Sequence, residues 1–170
     1  GLDTAVYNWK NLGNTIPNVK GKQPKYAGIM PNFDNVRDEA FKGLRDNFVL
    51  IAEGYLDIDK ALNYAFRTWS DDGSILYLND KKVLDNDGMH GVEYKETALY
   101  LEAGLYKLRY EFMQGVAGKF LSLNWKPEDH DACVVVPREP LLHSEEQQAV
   151  IGDRILPMAN ITSIPGDRSP

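Results

Sequence analysis

The chain has 170 residues, 19 Lys plus Arg against 25 Asp plus Glu, a formal net charge of −6 and one cysteine, Cys133. That length suits one domain with a real hydrophobic core and room for an appended segment. The acidic balance, with no basic patch, argues against nucleic acid as a partner, and a lone cysteine rules out an internal disulfide, a thiolate zinc site and a paired redox motif. No apolar run reaches the length of a membrane span, so no transmembrane segment is expected.

Residues 1–35 carry Asn14, Pro17, Pro24, Pro31 and scattered glycines; they read as extended chain wrapping a scaffold. "NVRDEAFKGLRD" at 35–46 fits a short helix with Val36, Ala40 and Leu44 on one side, or extended chain. Apolar runs of strand length follow at short intervals: "FVLIA" at 48–52, "ALNYAFRTW" at 61–69, "SILYL" at 74–78, "TALYL" at 97–101 and "FLSLNW" at 120–125. The clearest strand is "LYKLRYEFM", where Tyr106, Leu108, Tyr110 and Phe112 share one face and Lys107, Arg109 and Glu111 the other. The separators "SDDG", "LNDKK", "DNDG" and "EAG" are turn-like, and Asn79, Asp80 and Gly104 suit the positive φ of tight turns. Short strands so punctuated predict an all-β, antiparallel sandwich or barrel. From Pro127 the pattern gives way to proline-interrupted chain, with a short helix predicted from Ser144 and Gln147 at its reciprocal capping position.

Catalytic motifs are missing. "GVAGK" at 115–119 fails as a phosphate loop, because Met113 stands where the first glycine is needed and Phe120 where the hydroxyl is needed. There is no His-Glu-x-x-His helix and no Gly-x-Ser-x-Gly elbow, and the three histidines lack ligand spacing. "DNDG" at 85–88 fails as an EF-hand: with Gly88 at the sixth position, Val83 falls first and Tyr94 twelfth. What remains is "SDDG". Successive side chains on a strand diverge, so Asp71 and Asp72 are either a plain turn or a bent backbone that makes two carboxylates converge.

The motifs hold together as an ensemble. Gly-Tyr-Leu at 54–56, an aromatic strand, Ser-Asp-Asp-Gly-Ser at 70–74, a hairpin with a small polar turn, Asp-Asn at 85–86 and His-Gly at 90–91 come first. A Leu-x-Ala-Gly turn at 101–104, a Tyr/Phe-rich strand, a glycine-rich loop and a strand ending at Trp125 follow. This order resembles the PA-fourteen (PA14) family, the domain named after the fourteen-kilodalton segment of anthrax protective antigen. The resemblance implies an antiparallel two-sheet β-sandwich over residues 1–128, with residues 129–170 an irregular C-terminal extension or linker.

It also implies a function. Such domains are modules of secreted glycosidases, adhesins and toxins, and several bind carbohydrate. In the yeast adhesin branch the two adjacent aspartates are joined by a cis peptide and grip a calcium ion that holds sugar hydroxyls. Carried onto this chain, Asp71 and Asp72 match the acid pair, and Gln114 stands at or beside the adhesin branch's Asn, where other bacterial members commonly carry Glu. The expected calcium ligands are therefore Asp71, Asp72 and Gln114, and Asn86, Asp87 and His90 are expected to border the same glycan pocket. Trp69, beside the pair, suits either a core position or stacking on a sugar face. The resemblance thus implies a noncatalytic carbohydrate-binding module of a larger protein, secreted, periplasmic or cell-surface, contacting glycan directly or through calcium. The alternative is a structural or interaction module that docks or spaces an adjacent catalytic domain of the same polypeptide.

Overall fold

A computed structural model describes residues 1–36, 38–144 and 161–163. Its strands are β1 (Leu2–Asn8), β2 (Tyr26–Met30), β3 (Phe48–Ile58), β4 (Leu62–Asp71), β5 (Ser74–Leu78) and β6 (Lys81–Asn86), then β7 (Glu93–Leu101), β8 (Gly104–Gln114) and β9 (Phe120–Pro127). Among the described residues that follow are three short strands, β10 (Val134–Val135), β11 (Leu141–Leu142) and β12 (Ile161–Ser163). They form two antiparallel sheets, β2-β1-β3-β8-β5-β6 with β11 on β3, and β10-β9-β4-β7-β12. The expected two-sheet sandwich is the fold.

The period-two pattern of β8 decides the register. Tyr106, Leu108, Tyr110 and Phe112 are all essentially inaccessible to solvent and enter the core between the sheets, with Phe48, Leu50, Phe66 and Leu123 among their buried companions. Phe33 meets Tyr110 edge-on at 5.2 Å between centroids, and Phe41 stacks with Phe112 at 5.9 Å, the offset and T-shaped geometries that ring quadrupoles favour. On the opposite face Arg109 pairs with Glu111 and Glu53. At the β5–β6 hairpin Asn79 and Asp80 have φ of 51° and 64°, the left-handed pair a two-residue turn requires.

Before the C-terminal segment, β1, β2 and β6 escape the sequence patterns. β1 alternates buried Leu2, Thr4 and Val6 with partly exposed neighbours, but the run is short and one core position is a threonine. β2, "YAGIM", has little strand propensity of its own and is held by pairing with β1. β6 opens on two lysines and is registered by the hairpin turn. Residues 9–25 do wrap the scaffold: Trp9, Leu12, Ile16 and Val19 cover Val49, Ile51 and Met113 on the outer face of the first sheet. The 35–46 segment resolves into one 3-10 turn, Asp38–Phe41, whose Phe41 is fully buried.

Residues 129–143, expected outside the sandwich, lie on it instead. Val136 and Leu141 join the main core, β10 extends the second sheet from β9, and β11 pairs with β3. Gly54 makes that last contact possible, because a Cβ there would sit 2.1 Å from the Leu142 carbonyl oxygen. Within the remaining tail, β12 pairs with β7. The helix predicted from Ser144 to beyond Gln147 lies largely outside the described residues.

Candidate functional site

Asp71 ends β4, the Asp71–Asp72 peptide is cis, and Gly73 leads directly into β5. The corner therefore crosses from one sheet to the other within two residues. Behind it lies a buried polar cluster. Ser74 Oγ is 2.8 Å from Thr68 Oγ1 and 2.6 Å from Ser70 Oγ, and the Tyr110 hydroxyl hydrogen-bonds Thr68 and donates to the Ser122 carbonyl at 3.2 Å. Four hydroxyls thus cross-link strands of both sheets where buried polar groups must find partners, and burial pushes the Tyr110 phenol well above its ordinary pKa.

The two carboxylates converge. Asp72 Oδ2 accepts a 2.7 Å hydrogen bond from the Gly115 amide, and Asp71 Oδ2 lies 3.1 Å from where a Cβ on Gly118 would stand. Both acids therefore face the 115–118 loop, and side chains at its two glycines would crowd them. The Asp71 carboxyl is pushed up by burial first, then by the Asp72 charge and a hydrogen bond with Asp72. The pair opens into a shallow pocket of about 550 Å³. Leu12, Met89 and the exposed Val116 form an apolar rim around it, and His90 and Asn47 complete its polar side.

Of the expected site residues, the structure brings Asp71, Asp72 and His90 together in this pocket. Both His90 ring nitrogens face carbonyls, Nδ1 at 2.7 Å from Gly91 O and Nε2 at 2.8 Å from Asn86 O. Carbonyls only accept, so the doubly protonated imidazolium satisfies both. Burial works against that charge, but the two carbonyls, Glu93 and Asp72 outweigh it and hold the His90 pKa above its usual value.

Asn86 and Asp87 do not line the pocket. Asn86 is 2% exposed, and its Nδ2 reaches Ser70 Oγ at 3.2 Å, Glu93 O at 3.1 Å and Thr68 O at 3.4 Å. The Asp87 carboxylate accepts the Ile16 amide at 3.0 and 3.1 Å and the Gly88 amide at 2.8 Å. They build the loop that presents His90 and hold the 9–25 segment against it, assisted by Asn14 Oδ1 accepting the Met89 amide at 2.8 Å. Gly73 is what lets this loop approach, since a Cβ there would lie 2.7 Å from Gly88 N. Leu12, Asn47 and Met89 were not legible as site residues, because nothing local in the sequence brings them to the acid pair.

Gln114 is fully buried one residue before Gly115, and its Nε2 donates to Ala117 O at 3.1 Å. Its Oε1 is buried with no hydrogen-bond partner among the described residues. Among the described residues no group of three His, Cys, Asp or Glu is gathered as a metal site, so any cation here needs amide or carbonyl oxygens beside the two carboxylates. An unsatisfied glutamine oxygen adjoining the loop is a donor of that kind, and the all-oxygen set fits a hard cation such as calcium.

An antiparallel sandwich with its candidate site at the loops of one end defines the class to which this protein belongs. The PA14 domain family model matches residues 9–139, and the chain belongs to that family. No curated protein sequence matches it at a significant level. Among solved structures it is similar to an anti-sigma factor domain-containing protein from Clostridium clariflavum, at 22% identity, 85% of this chain, 47% of that one and TM-score 0.68. It is also similar to the PA14 sugar-binding domain of an RTX adhesin, at 18% identity, 85% of this chain, 98% of that one and TM-score 0.67. A third is the epithelial adhesin 6 A domain from Candida glabrata in complex with Galb1-3GlcNAc, at 15% identity, 86% of this chain, 88% of that one and TM-score 0.61. At these identities the likeness is one of fold. The chain spans about half the length of the anti-sigma factor domain-containing proteins it matches (50% and 47%).

Proposed function

We propose that this domain is a noncatalytic carbohydrate-binding module whose glycan sits in the pocket over Asp71 and Asp72. The observation that carries the reading is the convergence of two adjacent carboxylates on an open pocket about 550 Å³ in size. A sugar presents many hydroxyls and little charge, and paired carboxylates accept from several hydroxyls at once. The apolar rim offers contact to the C–H surface of the ring, the combination of apolar lining and few fixed polar groups expected of a small-ligand site. Family membership supports the reading, since a PA14 relative is a sugar-binding domain and the Candida glabrata domain holds a disaccharide.

Asp71, Asp72 and the Gln114 amide oxygen are the groups that would hold calcium. Bound there, calcium supplies a hard cation to which glycan hydroxyl oxygens can coordinate. Asp72 positions the 115–118 loop through the Gly115 amide, and His90, whose pKa is raised, stands beside the acids. No residue here is assigned to bond cleavage. The setting that suits such a module is a secreted, periplasmic or cell-surface protein with a neighbouring domain.

The test is a glycan array probed with the purified domain in calcium and in chelator, followed by calorimetry on the hits. Binding that Asp71→Asn and Asp72→Asn both abolish supports the assignment. Absence of any glycan binding in both buffers would sink it and favour an interaction module; hydrolysis of a glycoside lost in the same variants would overturn the noncatalytic reading.

A further inference from the structure

The outer face of the second sheet carries a group of side chains that the core does not use. Along β4, Ala65, Arg67, Trp69 and Asp71 are partly exposed while the residues between them are buried, so Trp69 and Asp71 share the outward face. Trp69 pairs in register with Tyr94 on β7, and the rings lie 4.6 Å apart at 42°. Tyr94 is 46% exposed. Arg67 lies over the Tyr94 ring at 4.4 Å, and its Nε and Nη2 both donate to Glu96 Oε2, at 2.8 and 2.6 Å. Across β4, Phe120 pairs with Asp71 and is also partly exposed.

Two connections join this face to the acid pocket. On β4, Trp69 is two residues before Asp71, about 7 Å along the strand. On the other side Gly91 lines the pocket, and Val92, 51% exposed, leads from it to Tyr94. A molecule leaving the pocket along the sheet therefore meets Phe120 or Val92 and then the Trp69–Tyr94 pair. The face is not simply apolar. Its rings are flanked by the Arg67–Glu96 pair and by the Asn124 amide, which reaches Ser122 Oγ at 3.1 Å. Ring faces beside fixed donors and acceptors match a pyranose, with apolar C–H faces and a hydroxyl rim; they do not match a purely apolar protein surface. The rings and guanidinium hold one another in place, so little side-chain entropy remains to be lost on binding.

We propose that Trp69 and Tyr94 form a second sugar subsite continuous with the Asp71–Asp72 pocket, making the preferred occupant an oligosaccharide whose terminal unit fills the pocket and whose next units stack on the sheet face. This inference rests on the carbohydrate-binding reading above and adds to it the length of the ligand and the residues that read it.

The test compares the full chain with Trp69→Ala, Tyr94→Ala and the ring-preserving Trp69→Phe, by calorimetry in calcium buffer. Probes are glucose, galactose and mannose against cellotetraose, lactose and mannotriose, together with any longer array hit paired with its own terminal monosaccharide. Each alanine variant should weaken oligosaccharide binding about tenfold, the scale of losing one aromatic stacking contact. Monosaccharide binding should be unchanged, and Trp69→Phe should retain most of the oligosaccharide affinity. Near-UV circular dichroism confirms that each variant is folded. Tyr94→Ala binding oligosaccharides like the wild type would overturn the subsite and leave the pocket assignment standing. Equal loss of monosaccharide and oligosaccharide affinity in the alanine variants would also overturn it, since the rings would then merely support the pocket. If no sugar binds the wild type, the carbohydrate reading itself fails and takes the subsite with it.

Discussion

Asp72 Oδ2 accepts the Gly115 amide at 2.7 Å, tying the corner between β4 and β5 to the loop that follows β8. Asp71, its neighbour across a cis peptide, makes no comparable anchor among the described residues; its carboxylate stands against Gly118 and the pocket. Two chemically identical residues therefore differ in their contacts: Asp72 holds the loop, and Asp71 faces the pocket beside it.

That division predicts unequal responses to substitution. Asp72→Ala leaves a buried amide without its charged acceptor and should destabilise the fold by about 1.5–3 kcal/mol. Asp71→Asn should behave in the opposite sense in chelator at pH 7. The folded state raises the Asp71 pKa, so ionising it costs stability from its unfolded pKa upward, and an uncharged Asn removes that cost. Denaturation melts in chelator should show Asp71→Asn at or above the wild type. With calcium added, the wild type should gain stability and Asp71→Asn should not.

Gln114→Glu should change metal binding and apo stability in opposite directions. A third carboxylate raises the charge count of an oxygen site and tightens calcium binding. In chelator it places a charge in a fully buried slot, which is unfavourable without a counter-ion. Calcium titration and thermal melts of the variant check the two halves separately. A variant unchanged in calcium affinity would remove Gln114 from the proposed ligand set.

Gly73→Ala should lose about 1–3 kcal/mol through overpacking. The new Cβ would lie 2.7 Å from Gly88 N and 2.9 Å from Gly88 O, backbone atoms that yield only if the loop carrying His90 moves. Urea denaturation measures the cost, and glycan affinity should fall with it because His90 is displaced.

His90 gives a pH signature. Its folded pKa is raised, so its contribution is fully present below the unfolded value near 6.5 and is lost as pH rises through the folded value. The melting-temperature difference between wild type and His90→Ala should therefore be largest below about pH 6.5 and shrink as pH rises above it. A difference that is flat across this range would mean that the ring acts by packing alone.

How much of this was legible in the sequence follows from the range of the interactions. Tyr106, Leu108, Tyr110 and Phe112 announce a half-buried strand because strand periodicity is local, and Asn79-Asp80 announces its turn for the same reason. "SDDGS" is equally local and marked the acid pair, although the pattern alone favoured a plain turn and only the family resemblance pointed to a convergent pair. Tertiary structure decided the rest. β2 is a strand because β1 supplies its partner, and Gly54 admits the Leu142 carbonyl from a segment far away in sequence. Asn86 and Asp87 look like ligand residues in one dimension, yet folding commits them to the Glu93 carbonyl and the Ile16 amide. Leu12, Asn47, Met89 and Val116 reach one pocket from four separate stretches. Local backbone preference is written residue by residue, whereas a pocket is made by which stretches the sheets bring side by side, and that depends on the packing of the whole chain.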